Sequence, residues 1–101
     1  MSVEIKNVSS KAIGTKAMEF LVLVDGKEAG IVWKHRDTRS SWQPWKAFVG
    51  IGEQSRFIGF FWEDKHWVEE YREEYESGKT YGPHASGGKA AAVSAVLEAS
   101  K

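Results

Sequence analysis

The sequence predicts an α+β domain in which a twisted antiparallel sheet of three to five strands carries a C-terminal helix on one face. Three observations predict it. Between Ala29 and Trp62 stand four of the five tryptophans, in segments where apolar and polar residues alternate with the period of a strand. The pair Asp25-Gly26 separates two apolar, β-branched runs, which is the signature of a tight hairpin. The C-terminal segment is alanine-rich with Val93, Val96 and Leu97 on one stripe, which marks a helix from about Lys89 to Ala99. At 101 residues the chain reads as a single domain, residues 1–101, large enough to bury one modest core.

In chain order, Val3, Ile5 and Val8 alternate with polar residues and predict a short edge strand, with Lys6 discouraging further pairing. Ser9 to Thr15 reads as a loop. Met18 to Lys34 is the hairpin. In the simplest two-residue register Val24 faces Lys27, Val22 faces Ala29, Phe20 faces Ile31 and Met18 faces Trp33. That register puts Phe20, Val22, Ala29, Ile31 and Trp33 on the core face. Leu21, Leu23 and Val32 then form an unusually apolar second face, which another segment covers or which binds something. Asp37 to Ser41 is a polar connection.

Trp42 to Ile51 predicts a strand with Trp45, Ala47, Val49 and Ile51 inward, and with Pro44 at its start, where no ladder donor is needed. Gly52 to Ser55 is a turn. Arg56 to Trp62 predicts a last strand with Ile58, Phe60 and Trp62 on one face and Phe57, Gly59 and Phe61 on the other. Two aromatic faces imply a strand covered on both sides. From Glu63 to Ser77, Trp67, Tyr71 and Tyr75 recur every four residues among charges, which predicts an acidic helix (63–77) ended by Gly78. A long loop or strand pair is the competing reading. The helix is expected over the face of Leu21, Leu23 and Val32. Lys79 to Gly88 reads as a loop, with Ser86 as the cap of the final helix.

Chemistry is sparse. No cysteine is present, which excludes disulfides, thiolate catalysis and zinc fingers and suits a reducing compartment. No apolar run reaches the roughly 18 residues of a membrane span, so a cytoplasmic location without membrane contact is expected. His35, His66 and His84 lack the paired spacing of ligands on one helical face, so no metal and no cofactor is expected. The carboxylates of 69, 70, 73, 74 and 76 repeat along a polar helix face and would be solvated, unlike the buried carboxyl that acid–base chemistry requires. Gly87-Gly88-Lys89 lacks the spacing of a phosphate loop. No enzyme is expected.

Fourteen basic and fourteen acidic residues cancel, but unevenly along the chain. From Ala29 to Ile58, Lys34, Arg36, Arg39, Lys46 and Arg56 oppose only Asp37 and Glu53. From Glu63 to Glu76 seven acids oppose Lys65 and Arg72. Basic residues interleaved with aromatics suit nucleic acid, since cations neutralise phosphates and exposed rings stack on bases. The candidate nucleic-acid-binding residues are Lys34, Arg36, Arg39, Trp42, Lys46 and Arg56.

Gly30-Ile31-Val32, Trp45-Lys46-Ala47, Arg56-Phe57-Ile58-Gly59-Phe60 and the alanine-rich helix together resemble a three-stranded-sheet-plus-helix DNA-binding module. Ethylene-response-factor domains and the arm-binding domains of tyrosine recombinases have that order, and small phage-encoded proteins look similar. The resemblance implies a sheet that enters the major groove and a non-enzymatic, DNA-binding function, as in a phage or mobile-element protein. It covers about residues 29–62 and 88–99, and departs from the pattern in the acidic insert and in having few arginines. The alternative is a protein-interaction or host-factor-inhibiting module that uses Trp67, Tyr71 and Tyr75 as contact residues. The position of the acidic helix separates the two. Acids across the basic strands would neutralise them, and acids elsewhere would leave them for a polyanion.

Overall fold

The computed structural model describes residues 2–8, 17–35, 43–78 and 82–101, with the side chains of Ala17 and His35 left aside. The expected loop from Ser9 to Thr15, the connection from Asp37 to Ser41, and Arg36, Arg39 and Trp42 lie outside the described residues. Six strands form one sheet in chain order: β1 (Val3–Asn7), β2 (Ala17–Val24), β3 (Lys27–His35), β4 (Trp45–Val49), β5 (Arg56–Trp62) and β6 (His84–Ser86). Helix α1 (Lys65–Glu76) lies between β5 and β6, and α2 (Gly88–Ala99) closes the chain. No helix among the described residues is long and apolar enough to cross a membrane.

The hairpin turn forms as its residues dictate. Asp25 (φ 51°) and Gly26 (φ 80°) both take positive φ, the pair of angles a type I′ turn demands. The register holds for one step beyond it and then shifts. Leu23 pairs with Glu28 but Val22 pairs with Gly30, so Ala29 is an extra residue and the strand bulges. Every residue of β3 beyond the bulge changes face. Phe20 is therefore opposite Val32, not Ile31, and Glu19 rather than Met18 is opposite Trp33. Val32 and Lys34 point inward, while Ile31 and Trp33 turn outward, a correction to the expected core face. Phe20, Val22 and Ala29 keep their inward places.

A second bulge shapes β5. Ala47 pairs with Gly59 and Phe48 with Phe57, which leaves Ile58 extra. Ile58 and Phe61 join the core, whereas Phe57, Phe60 and Trp62 lie on the outer face, so the expected grouping is again exchanged by one residue. On β4, Trp45 and Ala47 are buried as the alternation predicts, but Ile51 lies beyond the strand and is exposed.

The core sits between the inner face and α2, where Val22, Val32, Trp45 and Ala47 meet Ala92, Val93 and Val96. The approach is close enough that a Cβ on Gly30 would stand 2.7 Å from Val96 Cγ1 and collide with the Phe48 carbonyl oxygen. Helix α2 packs on β2 to β5.

The segment expected as a loop before α2 contains β6, which pairs parallel to β5, so the sheet is mixed rather than antiparallel. A parallel neighbour needs a crossover, and α1 supplies it. That fixes where α1 lies. It packs on β6 and the end of β5 and not over Leu21 and Leu23, while Val32 is core. Asp64 caps α1 by accepting from the His66 amide at 2.9 Å. Helix α2 starts on Gly87 with no side-chain cap, so Ser86 belongs to β6 and caps nothing.

Candidate nucleic-acid interface

The two bulges sort the basic and aromatic residues onto opposite faces. Lys34 follows Val32 inward. It is 2% exposed, its Nζ lies 3.2 Å from Glu63 Oε1 and it stands 5.4 Å from the centre of the Trp45 ring. Trp45 Nε1 donates to the same Glu63 oxygen at 3.2 Å. This N–H, and after it Lys34, holds the Glu63 carboxyl below the usual glutamate range, against a partial burial that acts the other way. Lys34 is thus a structural cation and leaves the set of surface contacts. Its withdrawal follows from the extra residue Ala29, without which it would face outward.

Lys46 takes the opposite place. It pairs across the ladder with Trp33, and its Nζ lies 4.6 Å above the centre of the Trp33 ring on the outer face. Ile31 pairs with Phe48 beside them. From Phe48 a chain of rings crosses the outer face: Phe48 to Phe57 at 5.2 Å, Phe57 to Phe60 at 4.8 Å and Phe60 to His84 at 4.5 Å. Ile31, Trp33 and Phe48, with Glu19 and Ser55, line a shallow groove of about 260 Å³ open to solvent. Arg56, exposed at the start of β5, adjoins Ser55 at its rim. Among the described residues no carboxylate forms an ion pair with Lys46 or Arg56.

At the far end of the ring chain the acidic helix is attached. Trp62 stacks on Tyr71 at 5.5 Å and on Trp67 at 5.8 Å, so two of the three helix aromatics hold α1 to the sheet instead of facing solvent. Tyr75 remains 43% exposed. His84 lies between Phe60, Trp62 and Tyr71, and its Nδ1 accepts from Trp62 Nε1 at 2.9 Å, which leaves the proton on a buried Nε2. Burial pushes the His84 pKa below the ordinary histidine value, with Glu74 pulling weakly upward.

Sequence reasoning passed over Glu63, counted only in the acidic run from Glu63 to Glu76, and His84, placed in a loop. Only the burial of Lys34 and the pairing of β6 give them roles, and neither is a local property. Among the described residues no group of three His, Asp or Glu side chains could hold a metal ion. A second groove of about 480 Å³ at the hairpin end is lined by Val24, Asp25, Lys27, Glu28, Val49 and Gly50, among others, and neither groove includes Glu63 or His84. Comparison with protein-family models, with curated proteins and with solved structures found no match.

Proposed function

We propose that the outer face of β3, β4 and β5 binds single-stranded nucleic acid. The observation that carries this reading is Lys46 held over Trp33 beside the open groove of Ile31 and Phe48. An unpaired base that displaces the Lys46 ammonium from the Trp33 ring would gain stacking worth about 1–3 kcal/mol per base, and the displaced ammonium can neutralise the adjoining phosphate. Glu19 brings a carboxylate to the groove lining, which is unfavourable to a phosphate there. Aromatic area with two described cations favours unpaired bases over the phosphate-dominated grip that a duplex needs. The acidic helix packs on β6 and the end of β5, and among the described residues none of its carboxylates pairs with Lys46 or Arg56.

Fluorescence anisotropy with a labelled single strand and the matching duplex at low salt tests the reading. The single strand should bind more tightly, with log K falling by roughly 0.7 per neutralised phosphate per log unit of salt. Trp33→Ala should weaken binding about tenfold or more, and the pair Lys46→Glu, Arg56→Glu should remove it while the fold persists. No binding at about 10⁻⁴ M protein, where even non-specific binders respond, would refute it. The interaction-module alternative keeps the exposed Tyr75 and the half-buried Trp67 and Tyr71. Its Tyr75→Ala variant should leave nucleic-acid binding unchanged.

A further inference from the structure

β1 ends the sheet among the described residues, and all five of its residues are exposed. Val3 and Ile5, each 42% exposed, lie on the side of the sheet that α2 covers, since Ile5 is opposite the buried Val22. Helix α2 packs mainly on β2 to β5, and both side chains stay largely exposed at the margin of that cover. An edge with apolar side chains, and with no further strand paired to it among the described residues, is a template for another strand.

Which ladder groups face the outer edge can be read from the hydrogen bonds that bracket β1. Asp25 N–H donates to the Ser2 carbonyl at 2.7 Å and Val8 N–H to the Glu19 carbonyl at 2.9 Å. The even-numbered residues of β1 therefore direct their backbone groups to β2. By the alternation of an antiparallel ladder, the amides and carbonyls of Val3 and Ile5 turn to the outer edge.

We infer that β1 is a self-association edge, through which a second copy of this chain pairs antiparallel about a two-fold axis at Ile5. The charges select both the occupant and the register. Centred on Ile5, the pairing sets Glu4 opposite Lys6 of the second copy and Lys6 opposite its Glu4, two attractive pairs on one face. The two isoleucines meet on the other face and exchange both backbone hydrogen bonds. A shift one way sets Glu4 against Glu4, and a shift the other way sets Lys6 against Lys6, so neighbouring registers are repelled. The dimer would join two outer faces into one continuous surface. The inference stands independently of what that surface binds.

Sedimentation equilibrium of the full chain from about 10⁻⁶ to 10⁻³ M tests it. The wild type should show a monomer–dimer equilibrium. Lys6→Glu should weaken dimerisation about tenfold or more, because two attractive pairs become two repulsive ones. Glu4→Lys combined with Lys6→Glu should restore it, because the swap regenerates both pairs. Ile5→Pro should give a monomer with an unchanged circular-dichroism spectrum, since the lost amide faces away from β2. The charge series decides the matter even if the proline variant unfolds. A wild type monomeric throughout, or a dimer indifferent to the charge swap, overturns the inference.

Discussion

Two lysine–tryptophan pairs stand back to back on the same strands. Lys34 lies 5.4 Å from the Trp45 ring under α2, and Lys46 lies 4.6 Å from the Trp33 ring on the outer face. In sequence they look alike, each a lysine directly following a tryptophan in an alternating strand. The inner lysine is desolvated, so it needs the carboxylate of Glu63, delivered from beyond the end of β5. The outer one retains water and needs no internal counter-ion. The same chemistry is thus structural on one face and available for binding on the other, and the face is decided by a single extra residue in β3.

The largest effect should come from the surface on which the inner pair depends. A methyl group at Gly30 must displace the Phe48 carbonyl and Val96 together, so Gly30→Ala should cost about 3 kcal/mol by overpacking, measured as a drop in the denaturant midpoint. A wild-type midpoint would mean that α2 does not press on β3. Next comes the inner pair itself. Glu63→Gln leaves the Lys34 charge without its carboxylate and should cost about 2 kcal/mol, less than a fully buried pair because Glu63 is 46% exposed. Lys46→Gln should stay within about 0.5 kcal/mol, as a surface change does. Equal losses from the two substitutions would erase the distinction between the faces.

The smallest effect sharpens the comparison at the α1 end. His84 is neutral in its aromatic surround and its folded-state pKa is lowered, so the unfolded chain takes up the proton first. Stability is then full above about pH 6.5, the ordinary histidine value, and declines as the pH falls below it. His84→Gln, which can still accept the Trp62 N–H, should flatten that decline. Glu63, also lowered, should add a separate loss only at more acidic pH, below the ordinary glutamate range. Thermal unfolding of the wild type and the His84→Gln variant between about pH 7 and pH 2 would show one step removed and the other kept. A step near pH 6 that survives in the variant would place the titration elsewhere.

Some of this protein was legible residue by residue. Local chemistry determined the Asp25-Gly26 turn, the β strands on both sides of it, the inward Trp45 and Ala47, the α1 stripe ended by Gly78, and the small-residue face of α2. Each depends on neighbours within a few positions, where φ preference and side-chain period act directly. Tertiary structure alone decided the rest. A bulge inserts one residue because the strand on either side must also satisfy its own partners and twist, and at Ala29 and Ile58 the local hint is the glycine that follows each, Gly30 and Gly59. Yet each bulge reverses every side chain beyond it, sending Lys34 inward and Trp33 out, and placing Phe57 and Phe60 together. β6 is three residues long, too short to show a period, and exists because α1 returns the chain to the free edge of β5. The sequence by itself determined the first five strands and the two helices. Only the assembled sheet decided which face each lysine and tryptophan serves, because facing depends on register, and register is set between strands and not within them.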